Sequence, residues 1–401
     1  MIMWLVVLPL LGLAIYCLAG ALYLFWLLAA ALSWRFLVPS KPEVLPKPRL
    51  VVAIPAHNEE KLVGRTIESI LQCEYPPHLR EVVVIADNCS DATAHVARLH
   101  GAQALERNES SLRGKGYALD FFIERHLPLT DAEAVVFVDA DTIVSRNFLL
   151  TVSRCIEEGI NVGQVRYTVE NARDGWRPAM QFISFALKDH VRALGRQALG
   201  CSGGLFGNGM FFLREILLQR GWPATSIVED VEFAAGLVSD GIRIAYAPDA
   251  FVTSGMPVSN SAHLVQKARW ETGQWRMAID YGAPLLRRAF IKRSLDALLW
   301  GVELLIPPLM VLGIVACLLL LTSLAGLALT SNPLMLMPAI VSGAAVSLLF
   351  IYAGGGLLYS GAPWCVWRSL WMLPGYALWK VWLYLKLAIQ GAPKEWVRTE
   401  R

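Results

Sequence analysis

The sequence predicts an α/β domain with a mixed, mostly parallel sheet, held to a membrane on both sides. Three observations predict it. Short apolar runs alternate with helical stretches of about 8–13 residues between roughly residues 50 and 145, the pattern of βαβ units. Met1 to Trp34 and Leu304 to Trp367 contain no charged residue. The chain of 401 residues is 55% hydrophobic and 17% charged, against about 25% charged in ordinary soluble proteins.

The uncharged tracts come first. A spanning helix needs about 20 apolar residues. The N-terminal tract supplies one span, over residues 1–36. Its apolar run is too long for a signal-peptide core, and no basic start precedes it. Residues 285–360 supply a basic juxtamembrane segment and two spans, divided at Thr330-Ser-Asn-Pro333. Arg35, Lys41, Lys47 and Arg49 follow the first span, and Arg287, Arg288, Lys292 and Arg293 precede the second. Positive flanks stay on the cytoplasmic side, so the region between them is expected there. Residues 363–401 form an aromatic segment with a basic tail. Trp364, Trp367, Trp371, Trp379 and Trp382 beside Arg368, Lys380 and Lys386 favour an interfacial or re-entrant segment. A fourth span would leave Lys394, Arg398 and Arg401 on the wrong side.

Within the polar region, a Pro/Lys linker from Pro39 to Pro48 leaves the membrane. Leu50–Pro55, Glu81–Ala86 and Gln103–Glu106 read as strands, with helices near 60–72, 92–99 and 115–125. Val135-Val-Phe-Val-Asp139-Ala-Asp141 is a buried strand ending in two carboxylates. Ligands of open α/β sheets sit outside the carboxyl ends of strands. Two acids there suit a hard cation such as Mg²⁺ or Mn²⁺, which in turn holds a diphosphate. The second half is less regular. Gly163–Val169, Met210–Leu213 and Arg243–Tyr246 read as strands, and Pro178–Arg196 as a helix. That helix is either an ordinary domain helix or one lying on the membrane surface. Gly203–Gly209 is a Gly-rich turn, and a further helix begins near Ser226–Asp230.

Composition excludes several classes. A net charge of +3 gives no reason to expect nucleic acid. Seven scattered cysteines without a Cys-x-x-Cys pair argue against a metal cluster or disulfide scaffold. A transporter would place ionisable residues inside its spans, and these tracts have none.

Five features stand in order: Pro55-Ala-His-Asn-Glu59, Asp87, Asp139-Ala-Asp141, Glu229-Asp230 and Gln266-Lys-Ala-Arg269-Trp270. Together they resemble the membrane-bound family-2 glycosyltransferases of GT-A (Rossmann-like) fold. That group includes cellulose, chitin, hyaluronan and poly-N-acetylglucosamine synthases and ceramide-glucosyltransferase-like enzymes. The resemblance covers roughly residues 48–277 and implies a cytoplasmic GT-A domain over 48–280. It implies that Asp139 meets the ribose or diphosphate, that Asp141 is the more direct metal ligand, and that Asp87 contacts uracil. Pro55 and Glu59 would face the same nucleotide, and Lys115 would reach uracil or phosphate. Asp230 is the expected general base, drawing the proton from the acceptor hydroxyl. A single displacement then converts an α-linked donor into a β-linked product. Gln266, Arg269 and Trp270 share one helical face. The resemblance makes Trp270 the acceptor floor and lets Arg269 meet the diphosphate.

The implied reaction moves a sugar from a UDP-sugar to a membrane-associated acceptor, with Mg²⁺ or Mn²⁺ as cofactor. The acceptor is a growing bacterial surface polysaccharide, the preferred version, or a lipid such as ceramide, diacylglycerol or polyprenyl phosphate. A polymer-making version with three spans would need a partner exporter or a homo-oligomer. The expected location is the bacterial inner membrane, multi-pass. A non-catalytic membrane protein on the same fold is disfavoured because Asp139, Asp141 and Asp230 are all present.

Overall fold

The computed structural model describes residues 2–37, 48–224 and 226–390. Linker residues 39–47, with Lys41 and Lys47, and the tail with Lys394, Arg398 and Arg401 lie outside the described residues. The chain opens with α1 (Ile2–Leu37). It then alternates β1 (Leu50–Ala56), α2 (Val63–Leu71), β2 (Arg80–Asp87), α3 (Thr93–Leu99), β3 (Gln103–Arg107), α4 (Lys115–Arg125) and β4 (Ala134–Phe137). This is the regular half. Strand β4 is buried along its whole length, and β1 is buried at all but Pro55, as central strands covered on both faces must be. Helix α2 turns Val63, Ile67 and Ile70 inward, the spacing of one helical face.

Next come β5 (Thr142–Val144), α5 (Phe148–Glu157) and β6 (Val162–Val169). A long helix follows, made of α6 (Trp176–Ser184), a π-helical segment Phe185–Arg192 and α7 (Ala193–Ala198). The domain continues through β7 (Met210–Leu213), α8 (Arg214–Arg220), α9 (Glu229–Ser239), β8 (Ala245–Ser254) and α10 (Asn260–Met277). Then come α11 (Ala283–Lys292), α12 (Leu295–Leu305), α13 (Leu309–Thr330), α14 (Leu336–Tyr359), α15 (Trp364–Ser369) and α16 (Leu373–Gln390).

The strands form one eight-stranded sheet in the order β3-β2-β1-β4-β7-β6-β8-β5. Strands β1 to β4 run parallel, β7 lies antiparallel between β4 and β6, β6 and β8 are parallel, and β5 closes the edge antiparallel to β8. The sheet is therefore mixed and mostly parallel, as expected. Two strands differ from the sequence reading. β5 is short and follows the acidic turn directly, so no apolar run announced it. β8 is not Arg243–Tyr246 but Ala245–Ser254. Pro248 and Asp249 inside it read as breakers, yet the register jumps from Val165–Ala247 to Arg166–Phe251, so the breakers bulge out of the ladder.

Three helical stretches are long and apolar enough to cross a membrane: Trp4–Trp34, Leu309–Thr330 and Pro333–Tyr359. They are the ones expected. The α6–α7 helix is packed against them. A Cβ on Gly195 would meet the Leu27 carbonyl oxygen at 2.3 Å, and one on Gly356 would meet Leu187 at 2.5 Å. The helix is therefore sandwiched between sheet and spans rather than laid on a membrane surface. Its polar side, with Gln181, Arg192 and Arg196, is buried as well.

Candidate active site

The site assembles where β4 ends. Asp139 follows the strand, and its backbone N–H donates to Asn208 Oδ1 at 3.1 Å. Asn208 is fully buried and acts as a hub. Its Nδ2 donates to Thr142 Oγ1 at 2.8 Å and Ser254 Oγ at 3.2 Å, while its carbonyl accepts from Gln164 Nε2 at 2.7 Å. Thr66 Oγ1 donates to the Ala140 carbonyl at 2.7 Å. The Asp139–Asp141 turn is thus held from β6, β8, α2 and the Gly-rich turn before β7 at once. Buried polar groups with every partner in place rigidify such a turn.

Lys115, at the start of α4, donates to the Asp139 carboxylate and to the Gly207 carbonyl. Gly207 has a positive φ of 78°. A Cβ there would lie 3.3 Å from Asp230 Oδ2 and 3.8 Å from Lys115 Nζ. Asp139, Lys115 and Asp230 therefore converge around a glycine that has both a backbone and a spatial reason to lack a side chain. Asp230 and Glu229 sit in the first turn of α9, where acids favour the helix dipole. Both titrate above the ordinary carboxylate range. Burial is the main cause, and the neighbouring Asp230 charge then pushes Glu229 to about 7. Lys115 is raised although burial opposes it, because Asp139 and Glu229 stabilise the ammonium.

At the neighbouring strand ends, Asp87 Oδ1 accepts from Arg107 Nη1 at 2.6 Å and from Asn88 Nδ2 at 2.9 Å. Burial still raises the Asp87 pKa despite Arg107. His57 Nδ1 lies 2.7 Å from the Asp87 carbonyl, and the Glu59 N–H donates to Thr93 Oγ1 at 2.8 Å. Pro55 pairs in register with Ile85, which puts the β1 and β2 ends side by side.

Helix α10 closes the other wall. Gln266 and Lys267 are buried, and Trp270 packs on Phe185 with ring centroids 6.1 Å apart. Lys267 Nζ lies 5.5 Å from the Trp270 ring centroid. Burial, then Lys380, lowers the Lys267 pKa to about 7, with Glu271 opposing. Glu271 bonds Lys380 at 2.5 Å and also Tyr384, which ties α10 to α16.

A cavity of about 830 Å³ joins these walls. Lys115, Asp139, Glu229, Asp230, Gln266, Arg269 and Trp270 all line it. Pro55, Glu59, Asp87 and Asp141 are not among its lining residues; the first three belong to the neighbouring strand ends and Asp141 to the turn after Asp139. Sequence reasoning missed Asn208, Gln164, Lys267 and Glu271. Asn208 stood inside the Gly-rich turn and Lys267 inside the Gln266–Trp270 stretch, so position alone offered a signal for those two.

Asp139 and Asp141 supply hard oxygen donors one residue apart. Among the described residues no group of three or more His, Cys, Asp or Glu side chains forms a metal cage. Two carboxylates completed by phosphate oxygens and water are the usual holding set for Mg²⁺. The Asp139 carboxylate is ion-paired with Lys115, so a cation held there would share it with that ammonium. The residues present fit a phosphate-bound divalent cation.

The sequence profile of the glycosyltransferase-like family 2 matches residues 48–273, more than half the chain. The protein is a family-2 glycosyltransferase. Similarity to curated proteins includes a beta-monoglucosyldiacylglycerol synthase of Trichormus variabilis, 28% identical over 274 residues, covering 65% of this chain and 56% of that protein. A poly-beta-1,6-N-acetyl-D-glucosamine synthase of Staphylococcus epidermidis is 24% identical over 267 residues, covering 65% of this chain and 62% of that one. The chain thus matches little more than half the length of the first of these relatives. Among solved structures, a mannosyltransferase from Pyrobaculum calidifontis in complex with GDP-Man and Mn2+ superposes with a TM-score of 0.53 at 20% identity. It covers 86% of this chain and 98% of that one. That likeness establishes the GT-A fold of this glycosyltransferase.

Proposed function

We propose that this glycosyltransferase moves a sugar from a UDP-sugar, with inversion, onto a hydroxyl of a membrane-held acceptor. One observation carries the reading. A single cavity is lined by Asp139 and Lys115, by Asp230, by the Gln266–Trp270 helix and by apolar side chains of α13 and α14. Donor chemistry, a base and a membrane-facing wall share one space.

A divalent cation, Mg²⁺ or Mn²⁺, when held by Asp139 and Asp141, supplies charge neutralisation for the leaving diphosphate. Lys115, kept charged by Asp139 and Glu229, adds positive charge on the same side. Pro55, Glu59 and Asp87 receive the nucleotide at the strand ends, and Arg269 meets the diphosphate. Asp230 takes the acceptor proton as the hydroxyl attacks the anomeric carbon. Attack from the face opposite the leaving group gives a β-linkage from an α-linked donor. Trp270 and Gln266 orient the acceptor.

Two acceptor classes fit the family, and the cavity favours a lipid hydroxyl over a surface polysaccharide. The lining along α13 and α14 is apolar, and sugar hydroxyls buried there would lose their hydrogen bonds to water. The curated relative that makes a monoglucosyl lipid points the same way. Residues 48–280 would form the cytoplasmic catalytic domain, set on the inner membrane of a bacterium by the flanking spans. Residues 363–390 would sit at the interface.

The test is transfer from a panel of radiolabelled UDP-sugars in native membranes with Mn²⁺ or Mg²⁺, the products being separated by organic extraction. One sugar per extracted lipid is expected. Label confined to a large aqueous polymer would replace the lipid reading. No UDP release from any donor would overturn the UDP-sugar reading.

A further inference from the structure

The catalytic cavity does not end at the domain. It continues along one face of α13, through Gly313, Ile314 and Cys317, and along one face of α14, through Val346 and Phe350. These residues recur at helical spacing, so each set forms a single stripe. The stripe on α13 from Leu309 to Leu318 is roughly 14 Å long at about 1.5 Å per residue. Leu318 at its end is 55% exposed, and Phe350 on α14 is 71% exposed. They stand on helices long and apolar enough to cross a membrane, and on the membrane-held reading proposed above hydrocarbon surrounds them. The groove is therefore open to the bilayer at one end and to Asp230 at the other.

We infer that this groove is a track for one alkyl chain of the acceptor, entered sideways from the membrane, and that Gly313 sets its width. The inference rests on the lipid-acceptor reading and gives it a binding site. Its occupant is a lipid, because the groove offers apolar walls and is continuous with spans that contact the bilayer. A Cβ placed on Gly313 meets no atom within 4 Å, so the position borders open space. A larger side chain there would project into the track without clashing with the helix pair. Gly354, on α14, is equally open but does not line the cavity, which makes it the matched control.

The experiment compares the wild type, Gly313→Leu and Gly354→Leu with two acceptors: dioleoylglycerol in lipid nanodiscs and dihexanoylglycerol dispersed in water. The donor is the UDP-sugar selected by the panel. Gly313→Leu should lower kcat/KM for the long-chain acceptor about tenfold or more, the effect of an obstructed apolar pocket. It should leave the short-chain acceptor and UDP-sugar binding unchanged, and Gly354→Leu should behave as the wild type. Equal losses on both acceptors, or none on either, would overturn the track. Wild-type protein that builds polymer and modifies neither glycerol would overturn the lipid reading beneath it. A second measurement needs no variant. Cys317 is exposed in the groove, and its alkylation by N-ethylmaleimide, read by peptide mass spectrometry, should slow when dioleoylglycerol is present. Unchanged alkylation at saturating lipid would count against occupancy.

Discussion

The half of the sheet built on β1 to β4 and the half built on β6 to β8 handle charge in opposite ways. In the first, the strands are parallel, and the acids of the site, Asp87 and Asp139, stand at or just beyond their carboxyl ends. Asp139 and its partner Lys115 remain partly open, at 32% and 19% side-chain exposure. In the second, charges are sealed inside. Arg192 and Arg196 reach Glu303 at 3.1 and 2.8 Å, and all three side chains are under 10% exposed. Burial opposes the Glu303 charge, but the two guanidiniums keep its carboxyl below the ordinary range. Arg196 also donates to the Ser202 carbonyl at 3.0 Å. The first half leaves Asp139 and Lys115 accessible to ligand, although its Asp87–Arg107 pair is buried. The second uses charges to fix the α6–α7 helix onto α12.

The comparison can be broken at several points. The largest effect is expected at the open carboxylates. Asp230→Asn should slow transfer by about 10²–10⁴-fold, the worth of a general base, while UDP-sugar binding and the melting temperature stay near wild type. Asp141→Ala should lose transfer and its dependence on added metal together. Retained turnover in either variant would remove the assigned role.

The sealed charges should behave conversely. Glu303→Ala leaves two buried guanidiniums without their counter-charge and should cost about 3–5 kcal/mol, read as a lower melting temperature in detergent. Replacing Arg192, Arg196 and Glu303 together by Met, Met and Leu should recover most of that loss. If Glu303→Ala melts like the wild type, the triad does not hold the α6–α7 helix to α12.

A smaller effect is expected where helix meets span. Gly195→Ala places a methyl against the Leu27 carbonyl, a backbone atom that has little room to move. Overpacking of this kind costs about 1–3 kcal/mol. A melting curve unchanged by the extra methyl would mean that α1 and α7 are not in firm contact.

The mildest test is pH. The Glu229–Asp230 pair is raised, with Glu229 at about 7, so it takes up a proton as pH falls through that region. Once Asp230 itself is protonated it cannot accept the acceptor's proton, so transfer should fall as pH drops through its raised pKa. Glu229→Gln removes the like charge beside Asp230 and should move that limb to lower pH. A limb that stays in place would assign it to another group. Because the pair is coupled, the limb belongs to both carboxylates.

The sequence by itself determined the uncharged spans, the strands β1 to β4, the acids at their ends and the order of the five motifs. These are local patterns: periodicity names a strand, absence of charge names a span, and a carboxylate after a strand is in place before the chain folds further. It also placed Asp230 and the Gln266–Trp270 face, because each lies within one helix. The tertiary structure alone decided that Asn208 anchors the acidic turn, that Gly207 brings Lys115 and Asp230 together, and that β8 runs on past Pro248. It alone showed that Lys380 is sealed against Glu271 instead of standing free among the aromatic residues of α16. Glu303 lies 111 residues from Arg192. Whether a charge is buried and matched depends on groups that far apart meeting in space, and no window of sequence contains that relation.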